Sequence, residues 1–314
     1  MCGLAGLLLN HPGAVGAQLV TLMEAQAHRG ADSTGFAIYG PPRDRGYIVR
    51  VIGFDQSQID TDIDQFRRIL QERGADFLED PRIKAGASRH YSARLIISDP
   101  KDFPRWLTAA DEIRASLEIQ SVGRSLEIIK DEGNASMVAD KHEIRSMRGT
   151  HGLGHARLAT ESAVLPNASH PFWARPFPDI AIVHNGQITD YAHWRRRLEI
   201  RGYHFLTQND SELIAVWLSD KINAGMPLTE ALKASIGQLD GAFTYLLASP
   251  INVGFAKDRF AIKPLVTIQE QGALGIATEE QALRRLFPKS TCVAHYDGPA
   301  LSGSWSAGQG DVAA

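Results

Sequence analysis

The chain has 314 residues, of which 44% are hydrophobic and 22% charged, and its formal net charge is −3. These values are typical of a globular protein with one large domain or two ordinary ones. The negative net charge and the lack of a long Lys/Arg run argue against nucleic-acid binding. No stretch reaches the roughly 18 apolar residues of a membrane helix. The first residues lack a basic segment and a cleavage site, so we expect no signal peptide.

The chain contains two cysteines, Cys2 and Cys292, which are too few for a disulfide framework. No CxxC pair and no HExxH spacing is present, so we expect no metal site. Cys292 lies in a short apolar run and is predicted to be a buried strand thiol. A reactive thiol at Cys2 survives best in a reducing compartment, which favours the cytoplasm.

Hydrophobic periodicity predicts strands and helices in separate blocks. Strands are predicted at 2–9, 34–39, 47–52, 125–130, 152–156, 180–184, 241–248, 251–256, 265–268 and 274–277. Helices are predicted at 15–26, 59–73, 106–117, 190–201, 210–223, 228–236 and 279–286. This order favours a layered α+β fold over a Rossmann sheet. No GxGxxG or GxxxxGK phosphate loop is present.

The same pattern favours a single domain over residues 1–297. Its section 41–149 is interpreted as an elaborated insert region, because no linker flanks it on either side. Residues 298–314 are rich in Gly, Ser and Ala, and we expect them to form a flexible tail.

The first residues carry a chemical signal, because Cys2 follows directly after Met1. If Met1 is removed, Cys2 carries a thiol and a free α-amine on one carbon. The intrinsic pKa of such an amine is about 7.7–8.0, so it can accept the thiol proton near neutral pH. The thiolate that results is the reactive form. The alternative is that Cys2 is incidental and merely precedes a buried first strand.

Five separated motifs resemble those of a known family. They are Cys2-Gly3-Leu4-Ala5-Gly6, His28-Arg29-Gly30-Ala31-Asp32-Ser33-Thr34-Gly35, Gly154-His155-Ala156-Arg157-Leu158-Ala159-Thr160, His184-Asn185-Gly186 and Asn209-Asp210-Ser211-Glu212. In this order they resemble the class II glutamine amidotransferases, which are N-terminal-nucleophile hydrolases. The similarity covers nearly the whole chain except roughly 41–149. It implies a four-layer αββα sandwich of two antiparallel sheets.

A site selective for glutamine needs a cation for the α-carboxylate and an anion for the α-ammonium. Arg157 is the candidate cation, since a guanidinium binds a carboxylate bidentately, and Asp210 is the candidate anion. The matching family residues have these roles, and Thr160 matches a position near the substrate carboxylate. The alternatives are that Arg157 is a surface residue at a strand end and that Asp210 is a helix N-cap.

The Asn185-Gly186 pair suits an oxyanion hole, because the side-chain amide and the glycine N–H can both point at the developing alkoxide. The alternative is a plain Asn-Gly hairpin turn. Arg29 matches the family arginine beside the nucleophile, and its alternative is a salt bridge to Asp32. His155 is interpreted as structural, as is His184, because the terminal amine already supplies a base.

The resemblance implies that the Cys2 thiolate attacks the glutamine δ-carbonyl and that the thioester is hydrolysed to glutamate, releasing ammonia. In the family a synthase domain or subunit consumes this ammonia. The chain shows no nucleotide loop, flavin-type barrel or cysteine cluster, so we expect a separate subunit with no cofactor of its own. A flavin or iron–sulfur cluster would belong to the partner synthase.

The long middle section resembles the larger amidotransferase regions of glutamate synthases. It is also similar to the small amidotransferase-like subunits of N-methylglutamate synthase. Two other hypotheses remain open at this point. The chain is an N-terminal Cys amidase acting on another small amide, or it is a catalytically inactive amidotransferase-like scaffold. An intact set of site residues argues against the scaffold.

Overall fold

The computed structural model describes residues 2–86, 88–158, 166–270 and 272–307. Within these ranges the chain forms sixteen strands and eight helices. The strands are β1 (Gly3–Gly13), β2 (Ser33–Tyr39), β3 (Tyr47–Gly53), β4 (Arg82–Ala85), β5 (Tyr91–Ile97), β6 (Leu117–Gly123), β7 (Leu126–Glu132), β8 (Gly149–Arg157), β9 (Phe172–Trp173), β10 (Ala181–Ile188), β11 (Gly241–Ala248), β12 (Asn252–Lys257), β13 (Val266–Glu270), β14 (Ala273–Ala277), β15 (Val293–His295) and β16 (Ser302–Ser306). The helices are α1 (Val15–Glu24), α2 (Ile59–Gln71), α3 (Phe103–Ala110), α4 (Ala135–Lys141), α5 (Tyr191–Ile200), α6 (Asp210–Asn223), α7 (Leu228–Gln238) and α8 (Glu280–Leu283).

Two antiparallel sheets form the centre of the molecule. The larger sheet has the order β15-β13-β14-β1-β8-β2-β7, and the smaller has the order β16-β12-β11-β10-β9. Helices α1, α4 and α8 share a buried core with the larger sheet, and α5, α6 and α7 share one with the smaller sheet. A third core lies between the sheets. The αββα sandwich and the α+β class are thus confirmed.

Strand β1 shows how the sequence places these cores. Successive side chains of a strand point to opposite faces, and both faces of β1 are covered. Leu4 and Leu8 belong to the core between the sheets, whereas Leu7 belongs to the core shared with α1. A strand that is covered on both faces has a continuous run of apolar residues in its sequence. The run of buried residues after Cys2 follows from this placement.

A third sheet, with the order β4-β5-β3-β6, lies within the 41–149 region. One of its faces carries Val49 and Val51, which share a core with Phe66 of α2 and Trp106 of α3. Of this sheet, the sequence predicted only β3. The predicted helix 106–117 was wrong beyond Ala110, because the helix ends there and the chain then turns into β6.

The predicted flexible tail, 298–314, was wrong for the segment 302–306, and residues 308–314 lie outside the described residues. Residues 302–306 form β16, which pairs with β12 along the edge of the smaller sheet. Trp305 is buried there and stacks on Phe255 with ring centroids 5.5 Å apart. Aromatic burial of this size outweighs the low propensity of the Gly/Ser-rich neighbours. Cys292 also differs from expectation, since it precedes β15 and is exposed.

Candidate active site

An open cavity of about 640 Å³ lies where the start of β1, the end of β8 and the N-terminus of α6 meet. The predicted site residues that line it are Cys2, Arg29, Arg157, Asn185, Gly186 and Asp210. The motifs are far apart in sequence, so only the sandwich topology brings them together. Thr160, the remaining predicted residue, lies outside the described residues.

The amide of Asn185 faces the backbone of Cys2. Its Nδ2 donates to the Cys2 carbonyl oxygen at 3.2 Å and to Thr278 Oγ1 at 3.4 Å. Asn185 is 7% exposed, so little water competes for this donor. An amide N–H held beside the nucleophile is suited to stabilise an oxyanion that forms there.

His155 determines which way the Asn185 amide points. Its Nε2 lies 3.0 Å from Asn185 Oδ1 and 3.1 Å from the His184 carbonyl oxygen. Both neighbours are acceptors, so Nε2 carries the proton and donates. Burial lowers the pKa of His155 to about 4, which keeps the ring neutral near pH 7. His155 is therefore a positioning residue that turns Asn185 Nδ2 toward Cys2.

Gly186 follows Asn185 within β10, where it pairs with Phe243 of β11. Its φ is +137°, and an added Cβ would lie 2.0 Å from the Ala242 carbonyl oxygen. Only glycine fits this backbone. The hairpin-turn alternative is wrong, because both residues lie inside a paired strand.

Arg157 and Asp210 lie on the cavity wall, at the end of β8 and the start of α6. Arg157 Nη1 donates to the Ala168 carbonyl oxygen at 3.1 Å. Asp210 Oδ2 accepts from the Ile188 N–H at 2.8 Å. The helix N-cap is Asn209, so the N-cap alternative for Asp210 is wrong. The cavity thus offers a guanidinium and a carboxylate to one zwitterionic ligand.

Ser211 lies between two buried histidines. Its Oγ is 2.7 Å from His170 Nε2 and 3.0 Å from His184 Nδ1. Burial lowers the pKa of both rings, so both are neutral near pH 7. This contact ties the N-terminus of α6 to β10 and to the segment before β9. Ser211 lies in the fifth motif, but no pattern in the sequence indicated this role for it.

Arg29 is held by a carboxylate that the sequence analysis missed. Its Nε forms a short ion pair with Glu279, and its Nη1 donates to the Cys2 carbonyl oxygen at 3.4 Å. Burial raises the pKa of Glu279, but hydrogen bonds from Gln281, Arg29 and His28 outweigh it and lower the pKa. Among the described residues, the ion-pair partner of Arg29 is thus Glu279 rather than Asp32.

Thr278 is a second residue that the sequence analysis missed. Its Oγ1 accepts from the Leu4 N–H at 2.9 Å, and its own N–H donates to the Leu4 carbonyl oxygen at 3.1 Å. These two hydrogen bonds connect Thr278, directly after β14, to Leu4 near the start of β1. The sequence held no signal for this contact, because Thr278 and Leu4 are 274 positions apart.

Lys130 of β7 supports the segment before β9. Its Nζ donates to the carbonyl oxygens of Ser169 at 2.8 Å, Pro171 at 3.3 Å and Asn167 at 3.4 Å. Burial lowers the pKa of Lys130 to about 8. Ala168 lies in this segment and accepts from Arg157. Lys130, which belongs to the 41–149 region, therefore supports the segment that holds the Arg157 side chain.

Comparisons with known proteins agree with this geometry. Residues 155–285 match the glutamine amidotransferase domain family. The chain is 33% identical over 296 residues to the "Putative glutamine amidotransferase" of Methanothermobacter thermautotrophicus, covering 92% of this chain and 95% of that one. It is 32% identical over 289 residues to the glutamine amidotransferase-like protein GlxB of Rhizobium meliloti, covering 91% and 92%.

A solved structure supports the fold. The glutamine phosphoribosylpyrophosphate amidotransferase from B. subtilis superposes with a TM-score of 0.61 at 17% identity. The superposition covers 97% of this chain and 48% of the other, so this chain spans about half the length of that protein. At this identity the likeness shows the fold alone.

The sandwich, with Cys2 beside the first strand of its central sheet, has the architecture of the N-terminal-nucleophile hydrolases. More specifically, the chain belongs to the class II glutamine amidotransferase family. The predicted family and enzyme class are thereby confirmed. Within the described ranges, no helix is both long and apolar enough to cross a membrane.

Proposed function

We propose that this chain is a glutaminase subunit that hydrolyses the side-chain amide of glutamine and supplies ammonia to a separate synthase. The observation that carries the proposal is the Asn185 amide at 3.2 Å from the Cys2 carbonyl oxygen. Arg157 and Asp210 line the same cavity. The site thus combines a thiol, an oxyanion donor and two groups that match the charges of an amino acid.

The reaction begins once Met1 is removed and the α-amine of Cys2 takes the thiol proton. The thiolate forms a C–S bond with the δ-carbon of glutamine, and Asn185 with Gly186 stabilises the oxyanion. The C–N bond then breaks, and the protonated amine transfers its proton to the leaving ammonia. Water hydrolyses the thioester, which releases glutamate and restores the thiol.

Recognition of glutamine rests on two opposite charges in the cavity wall. The Arg157 guanidinium binds the α-carboxylate, and Asp210 binds the α-ammonium. Thr160 is proposed to contact the carboxylate as well. An N-terminal Cys amidase acting on an uncharged amide would need neither Arg157 nor Asp210, so this pair favours glutamine over that alternative.

The acceptor of ammonia is proposed to be a partner of the glutamate-synthase or N-methylglutamate-synthase type, which would carry any flavin or iron–sulfur cluster. Exposed apolar side chains near the cavity mouth support a docked partner. Leu158 is 44% exposed and Ile262 is 62% exposed, and both line the cavity. Phe260, on the same loop as Ile262, is 57% exposed. Apolar side chains grouped in this way mark interaction surfaces.

Intact-mass analysis with the glutamine analogue 6-diazo-5-oxo-norleucine tests the proposal. We expect loss of Met1 and one adduct on Cys2, and excess glutamine should block labelling. The exposed Cys292 serves as an internal control that stays unmodified. A folded chain that retains Met1, or that is labelled at Cys292 as readily as at Cys2, would contradict the proposal and favour an inactive scaffold.

A further inference from the structure

The four-stranded sheet has a second, polar face. Opposite the face that packs on α2 and α3, an open groove of about 400 Å³ runs between β3, β4 and β5 and the segment 142–148. We call it the arginine groove. Its cationic side chains are Arg43, Arg50, Arg82, Lys84, Arg94 and Arg148. Its volume falls within the range of small-molecule sites.

Three of these arginines lie side by side across the sheet. Arg82 of β4 pairs with Arg94 of β5, and Arg94 pairs with Arg50 of β3. Residues directly opposite on antiparallel strands share one face, and like charges there repel each other. Strands lie about 4.8 Å apart, so this row of guanidiniums is costly unless anions lie beside it.

Within the described ranges, too few anions lie beside this row. Glu127 of β7 bonds to Arg50 at 2.6 Å and to Arg94 at 2.8 Å. Burial raises the pKa of Glu127, but the two guanidiniums outweigh it and lower the pKa, so one negative charge serves two positive ones. Both partners are mostly buried, with side chains 13% and 21% exposed.

The outer part of the groove also has fewer carboxylates than cationic side chains. Lys84 pairs with Glu143 at 3.0 Å, and Glu79 lies 3.5 Å from Arg43 and 3.9 Å from Arg82. Six cations therefore meet three carboxylates, a surplus of three positive charges in a chain whose net charge is −3. Arg43 Nε is buried and has no hydrogen-bond partner among residues that the structure describes.

We propose that the arginine groove binds a small molecule carrying more than one phosphate group. Guanidinium forks bind phosphate oxygens bidentately. The row of three guanidinium groups binds adjacent phosphate groups. The surplus of positive charge in the groove is neutralised by a multiply charged anion. The mostly buried Arg50 and Arg94 form the floor of the site, and Arg82, 72% exposed, lies at its mouth.

Isothermal titration of the full chain with inorganic pyrophosphate tests this site, with sodium chloride matching the ionic strength. We expect saturable binding that Arg82→Ser weakens about tenfold, the loss of one charge-assisted contact. The matched control is Arg105→Ser, which removes an 81% exposed arginine of the same region outside the groove. Arg148→Ser is a second groove variant, and it should weaken binding in the same direction.

Three results would overturn the proposal. They are the absence of saturable binding, equal affinities in Arg82→Ser and Arg105→Ser, and binding of citrate as tight as that of pyrophosphate. The last result would assign the groove to carboxylates rather than phosphates. Because binding is read directly, the outcome does not depend on glutamine turnover.

Discussion

The side-chain nitrogen of Asn185 lies 3.2 Å from the carbonyl oxygen of Cys2, although 183 positions separate the two residues. This contact joins β10 of the smaller sheet to the residue before β1 of the larger one. The proposed oxyanion donor, Asn185, and the proposed nucleophile, Cys2, are therefore brought together by the stacking of the two sheets. Residues that maintain this stacking should affect the rate of turnover even where they touch no substrate.

Replacing Asn185 by alanine removes the oxyanion donor. We expect kcat for glutamine hydrolysis to fall about 100–1000-fold, with KM changed little, because the donor acts on charge that develops in the transition state. Steady-state kinetics on the variant measures both constants. A thermal unfolding midpoint near that of the parent chain is the control, and an unchanged kcat would remove Asn185 from the oxyanion hole.

His155 should act through Asn185. In His155→Ala the Asn185 amide loses its orienting donor, so we expect kcat to fall about tenfold, the loss of one hydrogen bond worth about 1.4 kcal/mol. His155→Gln retains an N–H donor and should recover part of the rate. If both variants lose the same activity and the same stability, the role of His155 is packing alone.

The charge pair should control substrate choice. Asp210→Asn removes the partner of the α-ammonium, and we expect KM for glutamine to rise about tenfold or more, because hydrogen bonds to charged groups are worth about 1.5–3 kcal/mol. Glutaramate lacks the α-amine, so its turnover should hardly change in the same variant. An equal rise in KM for glutamine and for glutaramate would show that Asp210 does not bind the α-ammonium group.

Lys130 should affect binding more than chemistry. In Lys130→Met three carbonyls of the segment 167–171 lose their donor. We expect KM for glutamine to rise several-fold, about 1 kcal/mol of binding, while kcat stays near the parent value. Lys141→Met, a change on α4 outside the cavity, is the matched control. A fall in kcat with KM unchanged would contradict this role.

Buried neutral histidines should make the fold sensitive to acid. Burial lowers the pKa of His151 to about 4, while its Nε2 donates to the Ser249 carbonyl oxygen at 2.8 Å. Between about pH 6.5 and 4 the unfolded chain binds the extra proton, so stability falls as the pH falls through this window. The contribution of one such group is at most about 3 kcal/mol.

The variant His151→Gln tests this assignment. Glutamine keeps a donor and cannot be protonated in this range, so the free energy of unfolding should depend less on pH than in the parent chain. Urea unfolding at pH 7 and at pH 4.5 measures the difference. Parallel pH dependences in the two proteins would show that His151 does not titrate on unfolding.

The loop after Asp258 holds a non-glycine residue in a backbone conformation that favours glycine. In the structure Ala261 has a φ of +54°, a left-handed conformation that glycine adopts at lower cost. The segment Phe260-Ala261-Ile262 contains no glycine, so this conformation became visible only in the folded backbone.

The sequence by itself predicted the family, the α+β class and the candidate site residues Cys2, Arg157, Asn185, Gly186 and Asp210, which line one cavity in the structure. These features depend on short contiguous motifs and on local periodicity, which can be recognised from neighbouring residues in the sequence. Tertiary structure decided the contacts of Asn185 with His155, of Arg29 with Glu279 and of Lys130 with the segment 167–171. It also decided the third sheet and strand β16. Such contacts join residues tens to hundreds of positions apart, and they depend on burial and on sheet stacking, which no local pattern encodes.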